Sequence, residues 1–104
     1  MKYTLTATLL LLSCTGLSWA GEAEGKETYT TKCAACHGAD GEAKPAMAKM
    51  FPSIPAKLGA AKVLARSDDE LKSVIIKGQG KMKPVSGVTE KQAADVVAFV
   101  RTLK

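Results

Sequence analysis

Apolar positions recur along this chain at helical rather than strand spacing. In the window 67–78, Leu71, Val74 and Ile75 stand at the i, i+3, i+4 spacing of a stripe that faces a core. Ser67-Asp68-Asp69-Glu70 places a serine N-cap three residues before a glutamate, the form of a capping box, and Gly78 is the stop. Thr89-Glu90-Lys91-Gln92 is a second capping box. It opens a helix with Ala93, Val96, Val97 and Val100 on one face and Phe99 beside them. Arg101 and Lys104 are expected in its last turn, where positive charge suits the helix dipole. Another helix is predicted over Ala23 to Ala35, with Gly25 and Tyr29 four apart on one face. A short helix is expected within Lys57 to Ala65. The remaining stretches are punctuated by Gly and Pro, at Gly38, Gly41, Pro45, Pro52 and Pro55 and again at Gly78, Gly80, Pro84 and Gly87, and are predicted to be irregular. Val74-Ile75-Ile76 is β-prone but sits inside a capped helical window, so no strand is expected. The predicted class is all-α: three main helices plus a short one.

The N-terminus breaks this pattern. Lys2 is followed by an apolar run from Tyr3 to Leu12 and then by Ser18-Trp19-Ala20, small residues at the −3 and −1 positions of a cut after Ala20. That is the form of a secretory signal peptide over 1–20, with a domain over 21–104. The run is too short for a stable membrane span, which leaves a retained anchor as the lesser alternative. Leu11-Leu12-Ser13-Cys14 loosely resembles a bacterial lipobox, so a lipid anchor at Cys14 is a second alternative.

A chain of 104 residues makes one small domain. Loss of 1–20 removes Lys2 and Cys14, leaving fourteen Lys and Arg against ten Asp and Glu, a net charge of +4. So short a chain often needs a staple. Only Cys33 and Cys36 remain to supply one, which points to a cofactor rather than a disulfide framework.

The chemistry concentrates in Lys32-Cys33-Ala34-Ala35-Cys36-His37-Gly38-Ala39-Asp40-Gly41, which holds the only histidine of the chain. A structural zinc site wants four ligands, and here Cys36 and His37 are consecutive with no second Cys or His cluster. A redox dithiol normally opens a helix after a strand, whereas this pair closes a predicted helix. C-x-x-C-H is the signature of haem attachment. Two thiols a fixed short distance apart match the two vinyl groups along one haem edge. The residue after the second thiol is then carried beneath the porphyrin, where its imidazole can reach the iron.

With these residues in place the sequence resembles the class I cytochrome c family, of the small bacterial monohaem type. Four blocks carry the likeness over nearly all of 21–104: Gly25-x-x-x-Tyr29-x-x-x-Cys33-Ala34-Ala35-Cys36-His37-Gly38, the helix ending at Gly78, Gly80-Lys81-Met82-Lys83-Pro84, and Val96-x-x-Phe99-Val100. The resemblance implies a helical fold wrapped around one covalent haem c, bound by Cys33 and Cys36, with His37 and Met82 as axial ligands to its iron. It implies that Gly25 and Tyr29 pack against Val96 and Phe99. It also implies that a carbonyl near Pro45 accepts the free ring N–H of His37. The family commonly has proline directly after the methionine, and here Lys83 intervenes. Met47 and Met50 are expected to pack in the pocket.

The implied function is one-electron transfer, Fe(II)/Fe(III), in the periplasm between redox partners, by a monomer that is not an enzyme. Ile54, Leu58, Leu71, Val74, Ile75 and Val85 would line the group. Lys44, Lys49, Lys77, Lys81 and Lys83 would form a positive collar for an acidic partner; ordinary solubilising charge accounts for them equally well. The charge sits without the basic-aromatic interleaving of nucleic-acid binding. Three other functions stay open: a haem subunit held permanently on a dehydrogenase or oxidase, a gas-binding haem protein with an open sixth position, and a thiol oxidoreductase.

Overall fold

A computed structural model describes residues 21–104. The expected leader, with Cys14, lies outside the described residues. Six helices follow in order: α1 (Glu22–Lys32), α2 (Ala34–His37), α3 (Pro45–Met50), α4 (Ala61–Leu64), α5 (Asp68–Lys77) and α6 (Glu90–Val100). Among the described residues β-structure is confined to two isolated bridges, Glu42 with Lys57 and Gln79 with Met82. The fold is all-α.

Helix α1 is polar on most of its surface, and its charges suit its dipole: Glu22 and Glu24 in the first turn, Lys32 in the last. Only Gly25 and Tyr29 are buried on it. These two make the crossing with α6. A Cβ on Gly25 would collide with the Asp95 carbonyl and stand 3.0 Å from the Val96 nitrogen, so the two backbones approach as closely as only glycine allows. One turn on, the Tyr29 and Phe99 rings pack tilted, centroids 5.0 Å apart. The pairing of Gly25 and Tyr29 with Val96 and Phe99 is as expected.

The buried core is small: Tyr29, Ile75, Ala93, Val96, Val97, Phe99 and Val100. Helix α6 supplies five of these, as its apolar face predicts. Its capping box is complete, with the Thr89 hydroxyl accepting from Gln92 N–H at 3.1 Å and Gln92 Oε1 accepting from Thr89 N–H at 2.9 Å. At α5 only half of the box forms. Ser67 Oγ accepts from Glu70 N–H at 3.1 Å, while the Glu70 carboxylate accepts from the Ser67 hydroxyl and from Arg66 instead of from the Ser67 backbone. On the α5 stripe Ile75 is buried and Leu71 and Ile76 pack half-buried against the core, so Ile76 takes the place expected for Val74.

Three boundaries differ from the expectation. The first helix breaks at Cys33, a turn residue with φ −116°, and resumes as α2. Pro45–Met50 is a helix where a loop was predicted, because proline at the first helical position starts a helix rather than breaking it. Helix α6 ends at Val100, leaving Arg101 as its C-cap and Lys104 beyond it. The Arg101 guanidinium bolts the chain together: it donates to Asp68 Oδ1 at 2.7 Å, to the Leu64 carbonyl at 3.0 Å and to the Arg66 carbonyl at 2.8 Å. The short helix expected within Lys57 to Ala65 is α4, and Gly78 stops α5 at φ +80°.

Candidate haem-attachment site

Cys33, Cys36 and His37 sit at the joint of α1 and α2. The joint is held by main-chain bonds from Cys33 N–H to the Tyr29 carbonyl at 2.8 Å and from His37 N–H to the Cys33 carbonyl at 3.0 Å. Cys33 and Ala34 pack against the core, and Cys36 is exposed. No disulfide joins the two cysteines to each other. Directly after His37 the chain reverses through Gly38, at φ +75°, a conformation that favours glycine. A Cβ there would also strike the Glu42 carbonyl. The buried Tyr29 hydroxyl donates to the Gly38 carbonyl, and Lys44 N–H donates to the Cys36 carbonyl at 3.2 Å. The C-x-x-C-H segment is thus clamped to α1 on one side and to the loop before α3 on the other.

The electrostatics of this joint are those of an apolar wall. Burial, and after it the neighbouring Cys36, pushes the Cys33 thiol up to about 11. A dithiol redox centre needs the opposite, a thiolate stabilised near neutral pH. Burial likewise pulls the His37 imidazole below its usual range. Burial, and then the charges of Cys33 and Asp40, pushes Tyr29 up to about 12. Among the described residues no three His, Cys, Asp or Glu side chains converge on a point where they could hold a metal ion between them.

One expectation is corrected here. His37 Nδ1 is buried with no hydrogen-bond partner, so the bond to a carbonyl near Pro45 is not made. Pro45 is instead the first residue of α3. A buried ring nitrogen without a protein partner is costly unless something else satisfies the ring.

Met82 lies in the loop 78–89 between α5 and α6. Its backbone pairs both ways with Gln79, each bond 2.9 Å, which makes a tight turn over Gly80-Lys81. Val85 N–H donates to the Ile75 carbonyl at 2.9 Å and ties the loop back onto α5. Val85 and Val88 of this loop pack on the same core cluster as Cys33 and Ala34. The side chain of Met82 is half-buried, as is Met47, whereas Met50 is 66% exposed rather than packed in a pocket.

The residues fit a flat apolar group. Of the six expected to line it, only Ile75 is buried; Ile54, Leu58, Leu71, Val74 and Val85 are half-buried. Half-covered aliphatic side chains beside two thiols and an unsatisfied imidazole are the surface that a porphyrin would cover.

Known proteins agree with this chemistry. The cytochrome c family pattern matches residues 22–104. Among solved structures, the KustC0563 c-type cytochrome superposes with a TM-score of 0.67 at 26% sequence identity, over 77% of this chain and 96% of that one. No curated protein matches the sequence. The fold and the attachment segment together define a c-type haem protein. The chain belongs to the cytochrome c family. It carries covalent haem c, and its function is haem-based electron transfer.

Sequence reasoning missed two charged residues that organise this frame. Arg101 was assigned to a helix dipole, and its three partners lie 33 to 37 residues away in the chain. Asp95 is 2% exposed, next to Val96 on a face otherwise apolar. The available signal for Asp95 was Gly25: a close helix crossing brings the flanking residue of α6 against the start of α1.

Proposed function

We propose that the chain is an exported, periplasmic one-electron carrier. In this reading Cys33 and Cys36 tether a single haem as thioethers, and His37 and Met82 take the two axial positions. The observation that supports it best is the α1–α2 joint, where both thiols and the only imidazole are held within five residues, Cys33 against the core and the buried His37 Nδ1 lacking any partner among the described residues. When bound, the haem supplies Fe(II)/Fe(III) exchange. The protein's residues set its conditions. His37 and Met82 between them leave no place for a substrate, and a soft thioether favours the reduced state. Leu58, Leu71 and Val85 limit water around the group, which acts in the same direction. Lys44, Lys49, Lys77, Lys81 and Lys83 are all exposed, and none is in an ion pair among the described residues. They form the collar that steers a monomer onto an acidic partner, at a rate that falls with salt. Export follows from a cut after Ala20.

The test is the exported protein with three variants. In the wild type, denaturation leaves the haem on the chain by mass, and the ferric protein shows the long-wavelength methionine–iron charge-transfer band. Cys33→Ala with Cys36→Ala abolishes the covalent adduct. Met82→Ala keeps it and loses the band. A band that survives Met82→Ala, with Met47→Ala removing it, reassigns the sixth ligand.

A further inference from the structure

The buried carboxylate of Asp95 has no part in the site described above. It sits in α6 where that helix crosses the start of α1, 2% exposed, among Ala93, Val96 and Val97. Oδ2 accepts from the exposed Lys91 ammonium at 3.0 Å, one turn earlier on the same helix. Oδ1 accepts from the main-chain nitrogen of Gly21 at 2.8 Å, across 74 residues of sequence. Gly21 is the N-cap of α1 and has no side chain to cap with. It is also the residue that follows Ser18-Trp19-Ala20, the position at which the leader pattern places the cut.

We propose that Asp95 is the built acceptor for the α-ammonium released when the chain is cut between Ala20 and Gly21, so that leader removal fastens α1 onto α6. This rests on the export reading of the preceding subsection. A leader peptidase consumes one water at the Ala20–Gly21 bond, leaving a carboxylate on Ala20 and an amine on Gly21 that takes up a proton. Before the cut, Gly21 offers a single neutral N–H to Asp95. After it, Gly21 offers three donors and a full positive charge. A buried carboxylate is far better satisfied by a charged donor than by a neutral one.

The surroundings suit a cation at that point. From α6 the facing groups are Asp95 and, bonded to its far oxygen, Lys91. From α1 the facing group is Glu24, whose carboxylate closes over Gly21 so nearly that a Cβ on Gly21 would strike it, with the carboxyl carbon 2.8 Å away. The Asp95 carboxylate thus bonds the nitrogen and the Glu24 carboxylate lies beside the same residue, against one lysine ammonium. A bare ammonium at a helix start opposes the positive end of the helix dipole, and this pair of carboxylates offsets that cost. The Asp95 carboxyl itself sits below its ordinary value: burial alone would raise it, and the bonds from Gly21 and Lys91 outweigh burial.

The experiment uses the haem-loaded protein purified after export. Intact mass gives its first residue. The Gly21 α-amine is titrated by NMR in the wild type and in Asp95→Asn, and the folding constant of each is measured with the amine free and with acetylation confined to it. Acetylation keeps the N–H and removes the charge. The expected result is a chain starting at Gly21 whose amine titrates at least about one pH unit above the ordinary 7.7–8.0. Acetylation then lowers the wild-type folding constant about tenfold and changes Asp95→Asn less than about twofold. The sign follows from a raised folded value: the stabilisation is complete below about pH 8 and is lost as pH rises through the value of the folded amine. A chain starting elsewhere overturns the proposal together with the cut. A chain starting at Gly21 whose amine titrates ordinarily, or whose acetylation costs nothing, leaves the cut standing and overturns the ion pair alone. Should Asp95→Asn not fold, the wild-type titration and its acetylation decide between these outcomes.

Discussion

The crossing of α1 with α6 and the loop half of the molecule are built differently from similar apolar residues. At the crossing the chain is complete in itself. Tyr29 is 0% exposed, Ala93 0% and Val96 2%, and the two backbones touch at Gly25. In 38–66 and 78–88 the aliphatic side chains Ile54, Leu58, Leu64, Val85 and Val88 are only half-buried, and the backbone is held by turns, two bridges and short helices. Protein interiors are normally packed to crystal-like density. At the crossing protein atoms alone bury the side chains. The loop half leaves much of its apolar surface only half-covered. The helix pair is the frame, and in the reading proposed here the loops would line the haem.

That contrast breaks if the frame tolerates truncation. Phe99→Ala is expected to cost about 3–5 kcal/mol in denaturant unfolding, because it removes a buried ring packed at a tilt against Tyr29. A loss near that of an exposed position would place the load-carrying contacts elsewhere.

How far the sequence foretold each half has a physical reason. Helices α5 and α6 announce themselves through caps and periodic apolar faces, which are local properties. Cys33, Cys36 and His37 stand out in the sequence because C-x-x-C-H has a fixed spacing, and Met82 because it follows a glycine stop; the roles proposed for them rest on that pattern. The misses are non-local or context-dependent. Pro45 reads as a breaker until its place at the first position of a helix is known. The His37 ring nitrogen, Arg101 and Asp95 have roles set by partners or surroundings far along the chain, which no spacing rule supplies.

A smaller effect sharpens the contrast through pH. Asp95 stabilises the frame with a carboxyl held below its ordinary value. Its contribution is therefore present above the unfolded value near 3.9 and is lost as pH falls through the folded one. Unfolding followed from pH 6 to pH 2 should show an acid limb that Asp95→Asn removes. The smallest effect belongs to the loop half. The exposed pair of Lys57 with Glu42, 3.5 Å apart, flanks the bridge that joins residues 42 and 57. Lys57→Ala should change stability by less than about 1 kcal/mol, measured by the same unfolding curves.

The most direct test of the central claim is exposure of the reduced, haem-loaded protein to carbon monoxide, followed by absorption. With His37 and Met82 both on the iron, the wild type takes up the gas slowly and incompletely, while Met82→Ala binds it at once. Rapid binding by the wild type would leave the haem tether at Cys33 and Cys36 intact and contradict the closed His/Met centre, turning the protein from an electron carrier into a gas-binding one.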